Sequence, residues 1–371
     1  MRALVPFLAT AILGGIPVAA QPAGPDQPTT QQMEFTFEAP QKPIALFGNT
    51  WRIFATGPID RGAAARLKQA LVGKTIPDKS ILYLDSPGGN VLEGIELGRV
   101  IREAGLLTYV GRHNPDNYVS LPGACFSACS LAFLGGRFRY IEKGSVYGVH
   151  RFSFGGDVGN TTDVSQVLSA AIVQFVRDMG VDAKLFALMT EAGKDDIRIL
   201  TLDEMKTLLV VNDGTGRPMW SIESIKASLY LKGERDTVWG MDKVLLTCEG
   251  GQIILGGIFG DRGHADTIVN MHAASILIDD NTVRIPAERT EGPSARNGTA
   301  AVFFRLSQSE IRQVMRAKAV GVAVQFAYEA PVFSGIYPID ISEGREKMLG
   351  VLSACHAFAG RGTPRSPAQK P

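Results

Sequence analysis

Between Trp51 and Leu208 the chain alternates short unbroken apolar runs with longer stretches whose apolar residues recur every three or four positions. Trp51-Arg-Ile-Phe-Ala-Thr56 reads as a strand, and Arg61 to Val72 as a helix with Ala64, Leu67, Ala70 and Leu71 on one face. Ser80–Leu84 follows as a buried strand, Val91–Ala104 as a second helix and Leu107–Val110 as a third strand. Strands without polar alternation are buried on both faces, so this order predicts an α/β fold with a parallel sheet covered by helices. Ala128–Leu134 reads as a short apolar helix and Ser145–Val149 as the next strand. The clearest period then runs through Val164, Val167, Leu168, Ala171, Ile172, Phe175, Val176 and Met179, with Gly180 placed as a left-handed C-cap. Helices over Lys184–Ala192 and Thr201–Leu208 complete this part, and Asn212-Asp-Gly-Thr-Gly-Arg-Pro218 is turn chemistry that suits a domain boundary.

Beyond Pro218 the pattern changes. Ser228–Lys232, Lys243–Cys248, Gly251–Ile258, Thr267–Met271, Ser275–Ile278, Ala300–Arg305 and Gly321–Phe326 read as strands, with turns at Gly250-Gly251 and Asp279-Asp280. Helices are predicted over Ser309–Lys318 and Ser342–Ala354, the second with Asp340-x-x-Glu343 as a capping box. The organisation read from these patterns is a linker or extended arm over 21–44, an α/β domain over 45–213, a β-rich α+β C-terminal domain over 219–358, and a disordered tail over 359–371. Gly256-Gly-Ile-Phe-Gly260 is glycine-rich but lacks the strand–turn–helix setting of a phosphate loop.

The first twenty residues add a compartment. Met1-Arg2, an apolar run to Ala20 broken by Pro6 and Pro17, and Val18-Ala19-Ala20 before Gln21 have the layout of a signal peptide cleaved after Ala20. A retained membrane anchor is the alternative, and the two prolines disfavour it. Loss of Arg2 with the signal brings the 38 basic residues level with the 37 acidic ones, so charge makes no case for nucleic acid or an acidic membrane surface. The expected location is periplasmic or secreted, where the four cysteines pair. The pairing read is Cys125–Cys129 and Cys248–Cys355; free thiols are the alternative at the first pair. Cys-x3-Cys without nearby histidines is a poor metal signature, so neither metal nor cofactor is expected.

The chemistry gathers in three places. Ile81 to Asn90 ends in Ser86-Pro87-Gly88-Gly89, a tight turn whose N–H groups can donate to an anion; Gly123-Ala-Cys-Phe-Ser127 leads into an apolar helix; and Gly148-Val-His150 closes the next strand. Ser127 at a helix start is placed either as a nucleophile or as a plain N-cap. His150 reads as its general base or as a structural histidine, and Gly89 with Ala128 as oxyanion donors or as ordinary turn and helix N–H groups. Lys143 is the alternative partner of Ser127 in a Ser–Lys dyad, or a solvated turn charge.

Taken together, Leu84-Asp-Ser-Pro-Gly-Gly-Asn90 with Gly94, Gly123-x-x-x-Ser127-Ala128, Gly148-Val149-His150 and Leu200-Thr201-x-x-Glu204 resemble the Clp protease proteolytic subunit of the Clp/crotonase superfamily. The resemblance spans Trp51 to Asn212, is closest to exported Clp-like proteins carrying Cys-x-Ser-Ala-Cys, and leaves the C-terminal domain uncovered. It implies a ββα-spiral core, with Ser127 as nucleophile, His150 as base, and the Gly89 and Ala128 N–H groups as oxyanion donors. It also implies an aspartate before the Thr201–Leu208 helix, for which Asp195 and Asp196 are candidates and Asp196 has the nearer spacing. Trimeric or hexameric assembly is a further implication. The function expected is an exported serine hydrolase, a peptidase acting on peptide or protein. The alternative is an inactive Clp-like scaffold or binding protein of the periplasm. A crotonase-type acyl-CoA enzyme is disfavoured because export denies it coenzyme A.

Overall fold

The computed structural model describes residues 32–40, 50–152, 161–193, 196–225 and 228–359. The signal peptide at 1–20, most of the 21–44 linker and the tail from 360 to 371 lie outside the described residues. The first half runs β1 (Glu34–Glu38), β2 (Arg52–Thr56), α1 (Ala63–Lys74), β3 (Ile81–Asp85), α2 (Val91–Glu103), β4 (Leu107–Val110), β5 (Ala124–Phe126), α3 (Ala128–Leu134), β6 (Arg139–Ile141), β7 (Val146–Val149), α4 (Thr161–Asp178), α5 (Lys184–Glu191), β8 (Arg198–Ile199) and α6 (Leu202–Thr207).

Five of these strands form one sheet in the order β1-β2-β3-β4-β6, with β2, β3, β4 and β6 parallel and β1 antiparallel to β2. The unbroken apolar runs follow from burial on both faces. Ile53, Ala55, Leu82, Leu84 and Val110 enter the main core, while Phe54, Tyr83, Tyr109 and Tyr140 make a row of ring contacts, 4.6–5.3 Å between centroids, on the other face. Part of the segment read as linker is therefore structural, since Glu34–Glu38 pairs along its length with Arg52–Thr56. A second sheet, β5-β7-β8, joins β5 and β7 in parallel and β7 and β8 antiparallel. In α4 the buried face starts at Leu168 and continues through Ile172, Phe175, Val176 and Met179; Val164 and Val167, read as part of that face, are exposed. Gly180 takes a φ of 72°, the left-handed C-cap that its position suggests.

The second half comprises β9 (Met219–Ile225), β10 (Ser228–Thr237), β11 (Gly240–Glu249), β12 (Gln252–Gly260), α7 (Ala265–Ile268), β13 (Ala273–Ile278), β14 (Asn281–Ile285), β15 (Thr290–Arg296), β16 (Thr299–Arg305), α8 (Gln308–Arg316), β17 (Ala319–Gln325), β18 (Ser334–Asp340) and α9 (Arg345–Ala359). Its strands form antiparallel sheets of six, β15-β16-β12-β11-β10-β9, and four, β14-β13-β17-β18. Leu231, Val244, Leu246, Leu255, Val302 and Phe304 share a second core with Ile276, Val320, Val322 and Ile336 of the smaller sheet and Met348, Val351 and Leu352 of α9. The chain is thus a mixed α/β protein with two apolar cores, one drawn from Met33 to Val211 and the other from Trp220 to Cys355.

Two local expectations fail here for physical reasons. Thr267–Met271 is not a strand: Asp261 accepts the Gly263 N–H at 2.9 Å through its side chain and the His264 N–H at 2.8 Å through its carbonyl, and that turn starts α7. The β-branched residues there are overridden by a local turn. Asp340 and Glu343 do not form a capping box, because Asp340 accepts the Ser342 N–H at 2.7 Å and Glu343 pairs with Arg217, so α9 begins only at Arg345.

Candidate active site

The site grows from the turn after β3. Gly88 and Gly89 have φ values of 99° and 142°, which side-chain-bearing residues rarely adopt, and Asn90 then caps α2 by accepting the Glu93 N–H at 3.0 Å. The same turn holds β5 in place. Asp85 Oδ1 accepts the Ala124 N–H at 2.9 Å, Ser86 N–H donates to the Ala124 carbonyl at 2.7 Å, and Phe126 N–H donates back to the Ser86 carbonyl at 3.1 Å. On its other side β5 pairs with β7, Phe126 opposite Gly148, and the Ser127 N–H extends that ladder to the Gly148 carbonyl at 3.2 Å. Ser127 and His150 therefore leave two neighbouring parallel strands at the same end.

Ser127 turns the chain from β5 into α3 with φ 57° and ψ −123°. For a residue with a Cβ this lies outside the common regions, including the left-handed helical one, and costs about 1–3 kcal/mol. A serine capping a helix has extended backbone and accepts an N–H from the first turn; Ser127 does neither. Its conformation makes a strained strand-to-helix corner, the kind of turn on which hydrolases can carry a nucleophilic serine. Two close approaches hold the corner. A Cβ on Gly88 would lie 2.5 Å from Ser127 Cβ, and one on Gly94 would lie 2.5 Å from the Ala128 carbonyl oxygen, so both positions need glycine. The Ser127 carbonyl accepts the Ser130 N–H at 2.9 Å and the Ser130 hydroxyl at 2.5 Å. Beneath α3 the fully buried Tyr147 donates to the Ser130 carbonyl at 3.0 Å, and burial pushes its phenol well above the ordinary range.

The N–H groups around this corner divide cleanly. Gly88 N–H is taken by the Ser86 hydroxyl at 3.1 Å, whereas the Gly89 and Ala128 N–H groups have no hydrogen bond among the described residues. His150 is half-buried just beyond β7, with Nδ1 buried and without a hydrogen-bond partner among the described residues. Among the described residues there is no hydrogen bond between His150 and Ser127. Asp196 is exposed, and among the described residues no hydrogen bond or ion pair joins it to His150. β7 and β8 pair only where Gly148 opposes Ile199 and Val149 opposes Arg198, so Asp196 lies before the paired segment. Gly148 itself is ringed by Ile197, Phe126 and Ile199 within 3.1 Å of where a Cβ would stand. Asp195 lies outside the described residues. Lys143 is exposed in the turn before β7.

Both expected cysteine pairs are bonded. Cys125–Cys129 brackets Ser127 with its Cα atoms 5.2 Å apart and both side chains fully buried, and Cys248–Cys355 ties β11 to α9. Among the described residues no cluster of His, Cys, Asp or Glu is fit to hold a metal, and no helix is long and apolar enough to cross a membrane. The two disulfides are consistent with an exported protein.

Asp85, Ser130 and the close approaches of Gly88 and Gly94 escape sequence reasoning. Only Gly94 and Gly98, four apart on one face of α2, hint that another element comes close. A concavity of about 650 Å³ lies on the outer face of the six-stranded sheet over Leu245, Ile254, Ile258 and Phe303. Within it Lys232 and Tyr230 hold the Glu223 carboxyl down to about 2, and no histidine lines it. No protein-family model matches the chain, and none of the curated proteins compared with it does.

Proposed function

We propose that the protein is an exported serine hydrolase, a peptidase on a Clp-like ββα-spiral core, located in the periplasm or secreted. The observation that carries this reading is the backbone of Ser127: a serine at a helix start that does not cap, in a conformation that costs energy and that two glycines and Ser130 hold in place. In the proposed cycle Ser127 Oγ attacks the scissile carbonyl while its proton passes to His150 Nε2, the ring nitrogen not sealed in the interior. The oxyanion takes the free Gly89 and Ala128 N–H groups. The leaving amine departs with the proton, and water then hydrolyses the acyl-enzyme by the same exchange. No metal or cofactor enters this scheme. Assembly into trimers or hexamers is an addition from the resemblance alone.

One observation favours the second reading, an inactive scaffold. Among the described residues His150 Nδ1 has no acceptor to fix its tautomer or orientation, and a base without that support loses about 10⁴-fold in rate. A fluorophosphonate probe applied to the mature protein decides between them. The hydrolase reading expects labelling that vanishes in Ser127→Ala and falls steeply in His150→Ala. Labelling that persists in Ser127→Ala, or none in the folded wild type, leaves the scaffold.

A further inference from the structure

We infer that the Cys125–Cys129 bridge is the clamp that keeps Ser127 in its strained corner, which makes the two cysteines positioning residues; its kinetic consequence rests on the hydrolase reading, its structural one does not. Four extended residue steps span about 13 Å, whereas these Cα atoms are 5.2 Å apart. A helical path would also bring them close, but Cys125 cannot join one. It is held in β5 opposite Tyr147 and bridges Ser86 on the other side. With the strand fixed upstream and α3 starting at Ala128, the reversal falls on Ser127, two residues from each cysteine.

The start of α3 needs such a device. The seven-residue α3 is short enough to be marginal by itself, and it has no side-chain cap. Elsewhere this chain starts helices with a capping box, Thr201 with Glu204 at α6 and Ser307 with Glu310 at α8. At α3 the capping position is occupied by a serine turned away from the helix, and the covalent link from strand to first turn stands in for the cap. Both cysteines are fully buried, so thiols reach them poorly and the bridge serves as a constant clamp, not a redox switch.

The effect of the bridge is therefore local. It closes a loop of 4 residues, against 107 for Cys248–Cys355, and a short loop restricts the unfolded chain far less. The test compares Cys125→Ala/Cys129→Ala with Cys248→Ala/Cys355→Ala in the full mature chain. Fluorophosphonate labelling is resolved into a limiting rate and a half-saturating concentration, with a melting curve beside it. The first pair is expected to lower the limiting rate about 100-fold, the effect of a misplaced reacting group, with little change in half-saturation and a small loss of melting temperature. The second pair is expected to lose more melting temperature and label at the wild-type rate while folded. If the first pair fails to fold, Cys125→Val/Cys129→Ala fills the buried space and replaces it. Wild-type labelling rate in a folded bridgeless variant overturns the clamp. Should the wild type itself not label, the hydrolase reading falls alone. A crystal structure of the bridgeless variant then decides the clamp: Ser127 is expected to relax to negative φ, and a positive φ retained without the bridge overturns it.

Discussion

Ser127 and Ser307 both stand directly before a helix, and their backbones give them opposite work. Ser307 has φ −73° and ψ 163°; it accepts the Glu310 N–H at 3.3 Å while Glu310 accepts the Ser307 N–H at 2.7 Å. That reciprocal pair satisfies donors that the first turn of α8 leaves open. Ser127 has φ 57° and makes no cap, and the Ala128 and Gly89 N–H groups have no hydrogen bond among the described residues. One serine spends its hydroxyl on its helix, and the other is kept from doing so. An N-cap needs no strain, so a strained serine that caps nothing points to a use for the free hydroxyl.

The largest difference between the two corners should appear in reactivity. Ser127→Ala is expected to abolish fluorophosphonate labelling and any peptide hydrolysis, a loss of about 10⁶-fold if Ser127 is the nucleophile. Ser307→Ala should leave both unchanged. The comparison breaks if the two variants label alike.

Next in size is the support of the strained corner. Gly88→Ala places a Cβ 2.5 Å from Ser127 Cβ and 2.6 Å from the Phe126 carbonyl oxygen, at a φ of 99°. Overpacking and backbone strain together should cost about 3 kcal/mol in urea unfolding and remove labelling in whatever folds. Gly250→Ala is the control. It also has positive φ, 57°, but nothing lies within 4 Å, so a loss of about 1 kcal/mol with labelling intact is expected.

Stability should then reverse the order of the two serines. Ser307→Ala removes a working cap and should cost about 1 kcal/mol, read as a shift in urea midpoint at constant slope. Ser127→Ala removes no cap and keeps the same strained backbone, so its midpoint should stay within about 0.5 kcal/mol of the wild type. An equal loss in both would mean that Ser127 caps α3 in solution.

Part of this contrast is written in the chain. Ser307-Gln-Ser-Glu310 carries the acidic residue that a capping box requires, and Ser127-Ala-Cys-Ser130 lacks it. The long helices are legible because each repeats its period several times, and the buried strands because their apolar runs are unbroken. The strands β5, β6 and β8 have two or three residues each, too few to show a period, and exist because neighbours supply their register. Of these, β5 and β8 flank the site, so the order Ser127 then His150 is legible while its geometry is not. The φ of Ser127 depends on Gly88 and Gly94, residues of other elements. Asp196 shows the same limit. Its spacing is close to what the resemblance asks, but β8 begins only at Arg198, so no strand register carries Asp196 to His150.

The smallest effect is the response of the capped corner to acid. Glu310 lies below its ordinary value of 4.5, first because the Arg289 guanidinium donates to it at 2.6 and 2.9 Å and then because the Ser307 N–H and hydroxyl do, against a raising effect of burial. A carboxyl depressed in the folded state binds its proton more readily when unfolded. Its contribution is therefore complete above about pH 4.5 and disappears as pH falls through the depressed folded value. Glu310→Gln should lower stability near neutrality and flatten the acid limb below pH 4.5, with the variant and wild-type curves converging at the acid end. In a Ser307→Ala background the same substitution should have a smaller effect, because the two residues share one cap. Urea midpoints across the acid range measure it. Parallel curves for wild type and Glu310→Gln would show that the box contributes nothing through its charge, and the contrast with Ser127 would then rest on the hydroxyl alone.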